Sequence, residues 1–231
     1  MSLTLRTAGS KRYTITIEKP QLLIDWYGGD NPDKPGIPNV KHGPDYYASK
    51  RVTGDPDELG FADLPWAVLL DGQPRGDGAL HLLKLNPFDI SHLPNVPLHR
   101  TTPAEREAIA LAIEAICGSG IGCPIASKML HPKRRESVPV LDNMAIFGSF
   151  DHENWQPWNP SISGGTIKRH PRILKALNHI YEVVSDTVND SVWMGLEKAN
   201  PPCTRVQLFD QVWWACRFAP ALRVPAGVVV S

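Results

Sequence analysis

The chain lacks an excess of either charge: across 231 residues, 24 Lys and Arg stand against 24 Asp and Glu. No global positive field therefore draws it onto nucleic acid, although a local basic face can still hold a few phosphates. Cysteine is scarce, with only Cys117, Cys123, Cys203 and Cys216. They form neither a CxxC pair nor a zinc-ligand spacing, so the expectation is four reduced thiols, no metal centre and no cofactor. No apolar run approaches the ~20 residues of a membrane span, and MSLTLRTAGSKRYTITI lacks the apolar core of a secretory leader. The expectation is a soluble, cytoplasmic chain with no membrane partner. Repeats and low-complexity tracts are missing too, which argues against solenoids and for one mainly α domain. Neither Asp151–Glu153 nor any His pair has metal spacing, and Ser161 and Ser163 lack the context of an activated nucleophile.

What is present divides at about residue 57. KRYTITI alternates as a short strand, and PQLLIDWYGG reads as a short helix stopped by Gly28 and Gly29. From Asp30 to Asp57, Pro, Gly, Asn and Asp crowd the chain around Tyr46 and Tyr47, predicting an irregular surface excursion. Residues 1–57 are thus expected to pack as a decoration on a helical domain of residues 58–231. In ADLPWAVLLDG, Asp63 is placed to cap and Pro65 fits a first turn; DGALHLLKL follows. TTPAEREAIALAIEAI carries the clearest start signal, with Thr102 as N-cap, Pro103 first, and Glu105 completing a capping box. Ile109, Ala112, Ile113 and Ile116 form its inward stripe. Further helices are expected from about Thr166 (Ile173, Leu177, Ile180, Tyr181 and Val184 inward), around VWMGLEKA, and over VQLFDQVWWACRF. Trp193, Trp213 and Trp214 are expected in the core, and VPAGVVVS as a loose tail or edge segment.

The segment GIGCPIASKMLHPKRRESVPVLDNM, from Gly120 to Met144, carries the functional argument. It follows an apolar helix with a glycine turn and a second helix that has Ala126 and Leu130 inward. Glycines permit a bend that side chains would block, and amides at the start of a helix make a cradle for one phosphate. The pattern resembles the helix-hairpin-helix DNA glycosylase superfamily, whose hairpin runs G-h-G-x-K-x-A with a P-h-D segment about twenty residues on. Gly120, Ile121, Gly122 and Ala126 match the hairpin; Val138, Pro139 and Val140 match the approach to the acid, with Asp142 in its place. Leu141 is one extra residue, and Gly118-Ser119 lengthen the turn. The likeness covers about residues 105–148 and implies a mainly α, glycosylase-like helical bundle with its hairpin at 118–122. A second likeness, to uncharacterised actinobacterial proteins with an SK-LLH-K-P-PVLD signature, implies kinship without a chemistry.

By that resemblance, Asp142 is the catalytic carboxylate and duplex DNA the partner. Pro124 stands where bifunctional members carry a Schiff-base lysine, which excludes covalent lyase chemistry there. Lys128, four residues on, shares that face of the helix and is the second catalytic candidate, within reach of the pocket, with the alternative that a lysine so placed more often meets phosphate or solvent. A carboxylate beside the anomeric carbon stabilises the charge that builds during N-glycosidic cleavage, and a flipped base needs aromatic walls. Trp155, Trp158, Tyr46 and Tyr47 are the candidates, with the alternative that both tryptophans pin a Pro-rich loop to the core. Asp142 also reads as an N-cap for NMAIFGSF, and the two roles can coexist. Alongside Gly120, Ile121 and Gly122, the basic group Lys128, His131, Lys133, Arg134 and Arg135 is expected to face phosphate, with Lys168, Arg169, His170 and Arg172 beyond the loop. Two rival readings stand: a noncatalytic binding or interaction module that keeps the hairpin as architecture, and an enzyme acting on a small nucleoside-like metabolite.

Overall fold

Apolar residues spaced for helices outnumber those that alternate, and the fold follows that ratio. The computed structural model describes residues 2–6, 14–27, 54–69, 77–85, 87–118, 120–141, 169–222 and 226–230. Within them the chain is mainly helical, with two small antiparallel sheets. In order, the elements are β1 (Leu3–Arg6), β2 (Thr14–Ile17), α1 (Pro20–Tyr27), β3 (Glu58–Leu59), α2 (Leu64–Leu69), α3 (Gly78–Leu85) and β4 (Phe88–Asp89). They continue with α4 (Pro103–Ile116), α5 (Cys123–Leu130), α6 (Arg169–Ser185), α7 (Asp190–Ala199), α8 (Arg205–Leu222) and β5 (Val228–Val230). No helix among the described residues is long and apolar enough to cross a membrane.

The two ends of the chain share one sheet. β2 lies between β1 and β5, with Leu3 opposite Ile17 and Ile15 opposite Val230. Alternation decides the faces: Leu3, Leu5, Ile15 and Ile17 are fully buried, while Arg6 is exposed. β1 is a strand that the periodicity of its four residues was too short to predict, and the VVV segment is an edge strand. The outer edge of β1 is met by a side chain: Asn189 accepts from the Thr4 amide at 3.0 Å and donates to the Thr4 carbonyl at 2.7 Å. One buried carboxamide thus supplies both bonds that a further strand would make.

α1 packs on α8, where the Trp26 and Trp214 rings stack at 5.8 Å and Tyr27 meets Trp214 edge-on. Trp193 and Trp213 are core residues; Trp214 is half-buried. α4 has the expected start, with Thr102 and Glu105 making the reciprocal capping bonds, and Ile109, Ala112, Ile113 and Ile116 are all buried. It packs on α6 and α5. Arg106 helps hold α6: its guanidinium lies 3.8 Å from the centre of the Tyr181 ring and donates to Asn178 and to the Thr101 carbonyl, each at 2.7 Å. Asp63 differs from the simple helix cap expected of it. It closes a short 3-10 turn, accepting from the Gly60 amide, and is a buried partner of Lys133.

Candidate functional site

The turn between α4 and α5 is built from backbone. Gly118 and Ile121 exchange amide-to-carbonyl bonds of 2.9 and 3.1 Å, making a one-pair antiparallel bridge. Gly120 has φ 75°, the left-handed region where a side chain is strained. At Gly118 a Cβ would stand 2.2 Å from the His81 ring, so a side chain there would displace His81, whose Nε2 lies 3.1 Å from the Ile116 carbonyl. Gly122 is the N-cap of α5 with φ −93°, a conformation open to any residue. The Ile125 and Ala126 amides both bond the Gly122 carbonyl at 3.0 Å, and Pro124 has no amide hydrogen.

That pattern decides which amides face outward. Ile121 was expected among the phosphate ligands; its amide is taken by Gly118 and its side chain is buried, so it is a prop of the turn. The amides of Gly120 and Gly122, both partly exposed, donate to no protein acceptor among the described residues.

The segment leading to Asp142 is fastened to α5. Ser127 Oγ accepts from the Leu141 amide at 3.0 Å and lies 3.2 Å from the Pro124 carbonyl. One turn further, His131 bonds the Val138 carbonyl through Nδ1, while Nε2 lies 3.0 Å from Gln207 Nε2. A carbonyl can only accept, so Nδ1 carries the proton and Nε2 accepts from the Gln207 amide. Burial, above all, pushes the imidazole down to about 4, opposed by the Val138 carbonyl and reinforced by Arg135; the ring is neutral at pH 7. Ser137 Oγ donates to the Pro94 carbonyl at 2.7 Å. The Leu141 amide, the Val138 carbonyl and the Ser137 hydroxyl thus each fasten the apolar approach Ser137–Leu141. Replacing Ser127 with Ala is expected to leave the buried Leu141 amide without its acceptor and to cost about 1–3 kcal/mol. Denaturant unfolding checks this, together with faster hydrogen exchange at that amide.

The basic run is a correction. Lys133, Arg134 and Arg135, expected to face phosphate, direct their donors into the protein. Lys133 Nζ bonds the Asp55 and Glu58 carbonyls and lies 3.3 Å from Asp63 Oδ2, with its side chain 2% exposed. Arg134 is buried and bonds Pro56, Asp57, Ile90 and its own neighbour Lys133, at 2.6–3.0 Å. Arg135 donates to the Pro202 carbonyl at 2.6 Å and to Gln207 Oε1 at 3.1 Å. Three cations adjacent in sequence thus tie three separate parts of the chain, the 55–58 loop, the 90 turn and the start of α8, to the end of α5. The His170 backbone amide donates to Glu114 at 3.0 Å, while its ring Nε2 lies 3.0 Å from Glu107 Oε1 without hydrogen-bond geometry. Lys128 is buried on α5, out of open solvent.

Asp142, Trp155, Trp158, Tyr46, Tyr47 and Lys168 lie outside the described residues. Two residues that bear on the site were not singled out from the sequence, Ser127 and Gln207. The spacing Thr204-x-x-Gln207 was readable as a capping box, and these residues make its reciprocal bonds at the start of α8. That Gln207 also serves His131 and Arg135 has no local signal. A hollow of about 810 Å³ lies between β1 and α6, lined by groups of both signs including Arg6, Lys175, Glu182 and Asp186, and no hairpin residue borders it. Among the described residues no three His, Cys, Asp or Glu side chains gather as a metal site would require. In comparisons with known proteins, no family model, curated protein or solved structure matches the chain.

Proposed function

We propose that the chain is a helix-hairpin-helix, DNA-glycosylase-like protein. In this reading Gly120 and Gly122 hold one phosphate of duplex DNA through their amides. Asp142 supplies the carboxylate that assists hydrolysis of the N-glycosidic bond of a flipped base. One observation carries the reading: the bond from the Leu141 amide to Ser127, immediately before Asp142. Ser127 is five residues beyond Gly122, so at 1.5 Å per residue the anchor lies about 7–8 Å along α5 from the hairpin. The residue before the acid is thus fastened partway along the same helix whose N-terminus carries the Gly122 amide. The hairpin amides and the helix dipole favour an anion; a carboxylate beside the sugar favours the cationic transition state. Pro124 leaves a hydrolytic, monofunctional reaction. Trp155, Trp158 and Tyr46 are the proposed walls for the base, and Lys128 is the proposed second catalytic residue on α5.

The noncatalytic module is the second reading, favoured by a specific observation: Lys133 and Arg134 are buried in intramolecular bonds, which takes both out of a phosphate-facing patch. Two variants separate the readings. Gly122→Glu puts a carboxylate at the hairpin without strain, since a Cβ there meets only Pro124 Cδ at 3.6 Å. A negative charge also suits a helix N-terminus, so the fold should persist. Duplex binding, measured by fluorescence anisotropy at low salt, is expected to weaken by roughly 10–100-fold in this variant. Asp142→Asn is expected to bind as before and to release no base from damaged oligonucleotides. Base release that persists in Asp142→Asn would remove the catalytic assignment, and a wild-type chain that binds no duplex at low salt would remove both readings.

A further inference from the structure

We propose that Cys117 and Cys123 form a thiol–disulfide exchange site that takes a small-molecule disulfide as co-reactant and closes an internal bond across the neck of the glycine turn. The two sulfurs lie 3.6 Å apart and both residues are half-buried. They bracket the turn, Cys117 as the C-cap of α4 and Cys123 as the first residue of α5. The Gly118–Ile121 bridge holds this neck at the width of an antiparallel pair. Directly opposite residues in such a pair have Cα atoms about 4.5–5.5 Å apart, and a disulfide spans about 4.4–6.8 Å. Cys117 directly precedes this pair, and Cys123 follows it by two residues. The sulfurs are in van der Waals contact, and a bond of about 2.05 Å needs an approach of about 1.5 Å, within reach of side-chain rotation.

The other two thiols are not expected to take part. Cys216 is buried in α8 and pushed up to about 12 by that burial, and Cys203 is raised for the same reason, so both stay protonated and poorly nucleophilic. The exchange proceeds in two displacements. The thiolate of one hairpin cysteine attacks a sulfur of R–S–S–R, forming a mixed disulfide and expelling RS⁻. The second thiolate attacks the protein sulfur of that mixed disulfide and expels the other RS⁻. The dithiol loses two protons and two electrons, and the small disulfide becomes two RSH. Nothing in this step depends on what the hairpin binds.

The full chain is equilibrated in glutathione buffers of increasing oxidised share, quenched by alkylation, and read by intact mass and peptide mapping. Expected are the loss of two hydrogen atoms, a peptide linked through Cys117 and Cys123, and Cys203 and Cys216 recovered as thiols. In Cys123→Ser or Cys117→Ser, removal of the resolving thiol should trap one glutathione on the cysteine that remains. Wild-type protein that yields no linked peptide in oxidised buffer, or yields a stable glutathione adduct or a disulfide-linked dimer in its place, overturns the proposal. The wild-type arm decides by itself if a serine variant fails to fold.

Discussion

Lys133→Met is expected to lower the free energy of unfolding by about 3–5 kcal/mol, the usual cost of removing one partner of a buried ion pair. The Lys133 and Asp63 side chains are 2% and 3% exposed, and their charged atoms are 3.3 Å apart. Methionine preserves most of the volume of the stem, so the loss is chiefly electrostatic. Asp63 loses the cation that faces it, and the Asp55 and Glu58 carbonyls lose their shared donor. Adding Asp63→Asn should restore part of the loss, because a neutral amide at that site no longer needs a counter-charge. Urea unfolding reads both effects as shifts of the midpoint at constant slope. A cost below about 1 kcal/mol, the range of surface pairs, would mean that the pair is not buried in solution. The same variant tests the discarded expectation. A phosphate contact would make Lys133→Met weaken duplex binding and reduce its salt dependence, whereas a buried strut leaves both unchanged for the folded fraction.

The basic run marks where local sequence signals stop. α4 was legible down to its cap because every determinant lies within one helix: Thr102 and Glu105 are three residues apart, and the stripe from Ile109 to Ile116 repeats at the helical period. The turn was legible for a similar reason, since glycine at a left-handed φ has few substitutes. Lys133 and Arg134 find their partners 75–78 residues back in the chain, in the Asp55–Glu58 loop. No spacing rule announces such a partner, so the run read as a phosphate-facing patch. Likewise, β1 is a strand because β2 pairs with it and Asn189 meets its edge from 185 residues away. The fold's helices follow from periodicity; its cross-links, and the role of Ser127 in fastening the approach to Asp142, follow only from assembly.

Acid is expected to remove on the order of 3 kcal/mol of stability through His131 alone. In the unfolded chain the ring takes a proton near pH 6.5; in the native protein burial defers that to about 4. Between these limits the unfolded state binds more protons, so stability is complete above about pH 6.5, falls as pH drops, and levels off below about 4. A gap of about 2.5 at 1.36 kcal/mol each gives that magnitude. His99, pushed down by burial and then by Arg205, acts in the same direction, so a variant must isolate the contribution of His131. His131→Gln keeps a donor for Val138 and an acceptor for Gln207 without a titrating group. It should be less stable than wild type at pH 7, yet lose distinctly less stability between pH 7 and pH 4, as measured by denaturant midpoints across that range. Equal slopes for both proteins would show that the ring is solvated in the native state. Because protonation would also put a proton on Nε2, where the Gln207 amide now donates, the first local effect of acid should fall on the bonds that hold Val138 and Gln207. Faster amide exchange along 137–141 should therefore precede global unfolding, and any base-release activity that depends on Asp142 should decline with it.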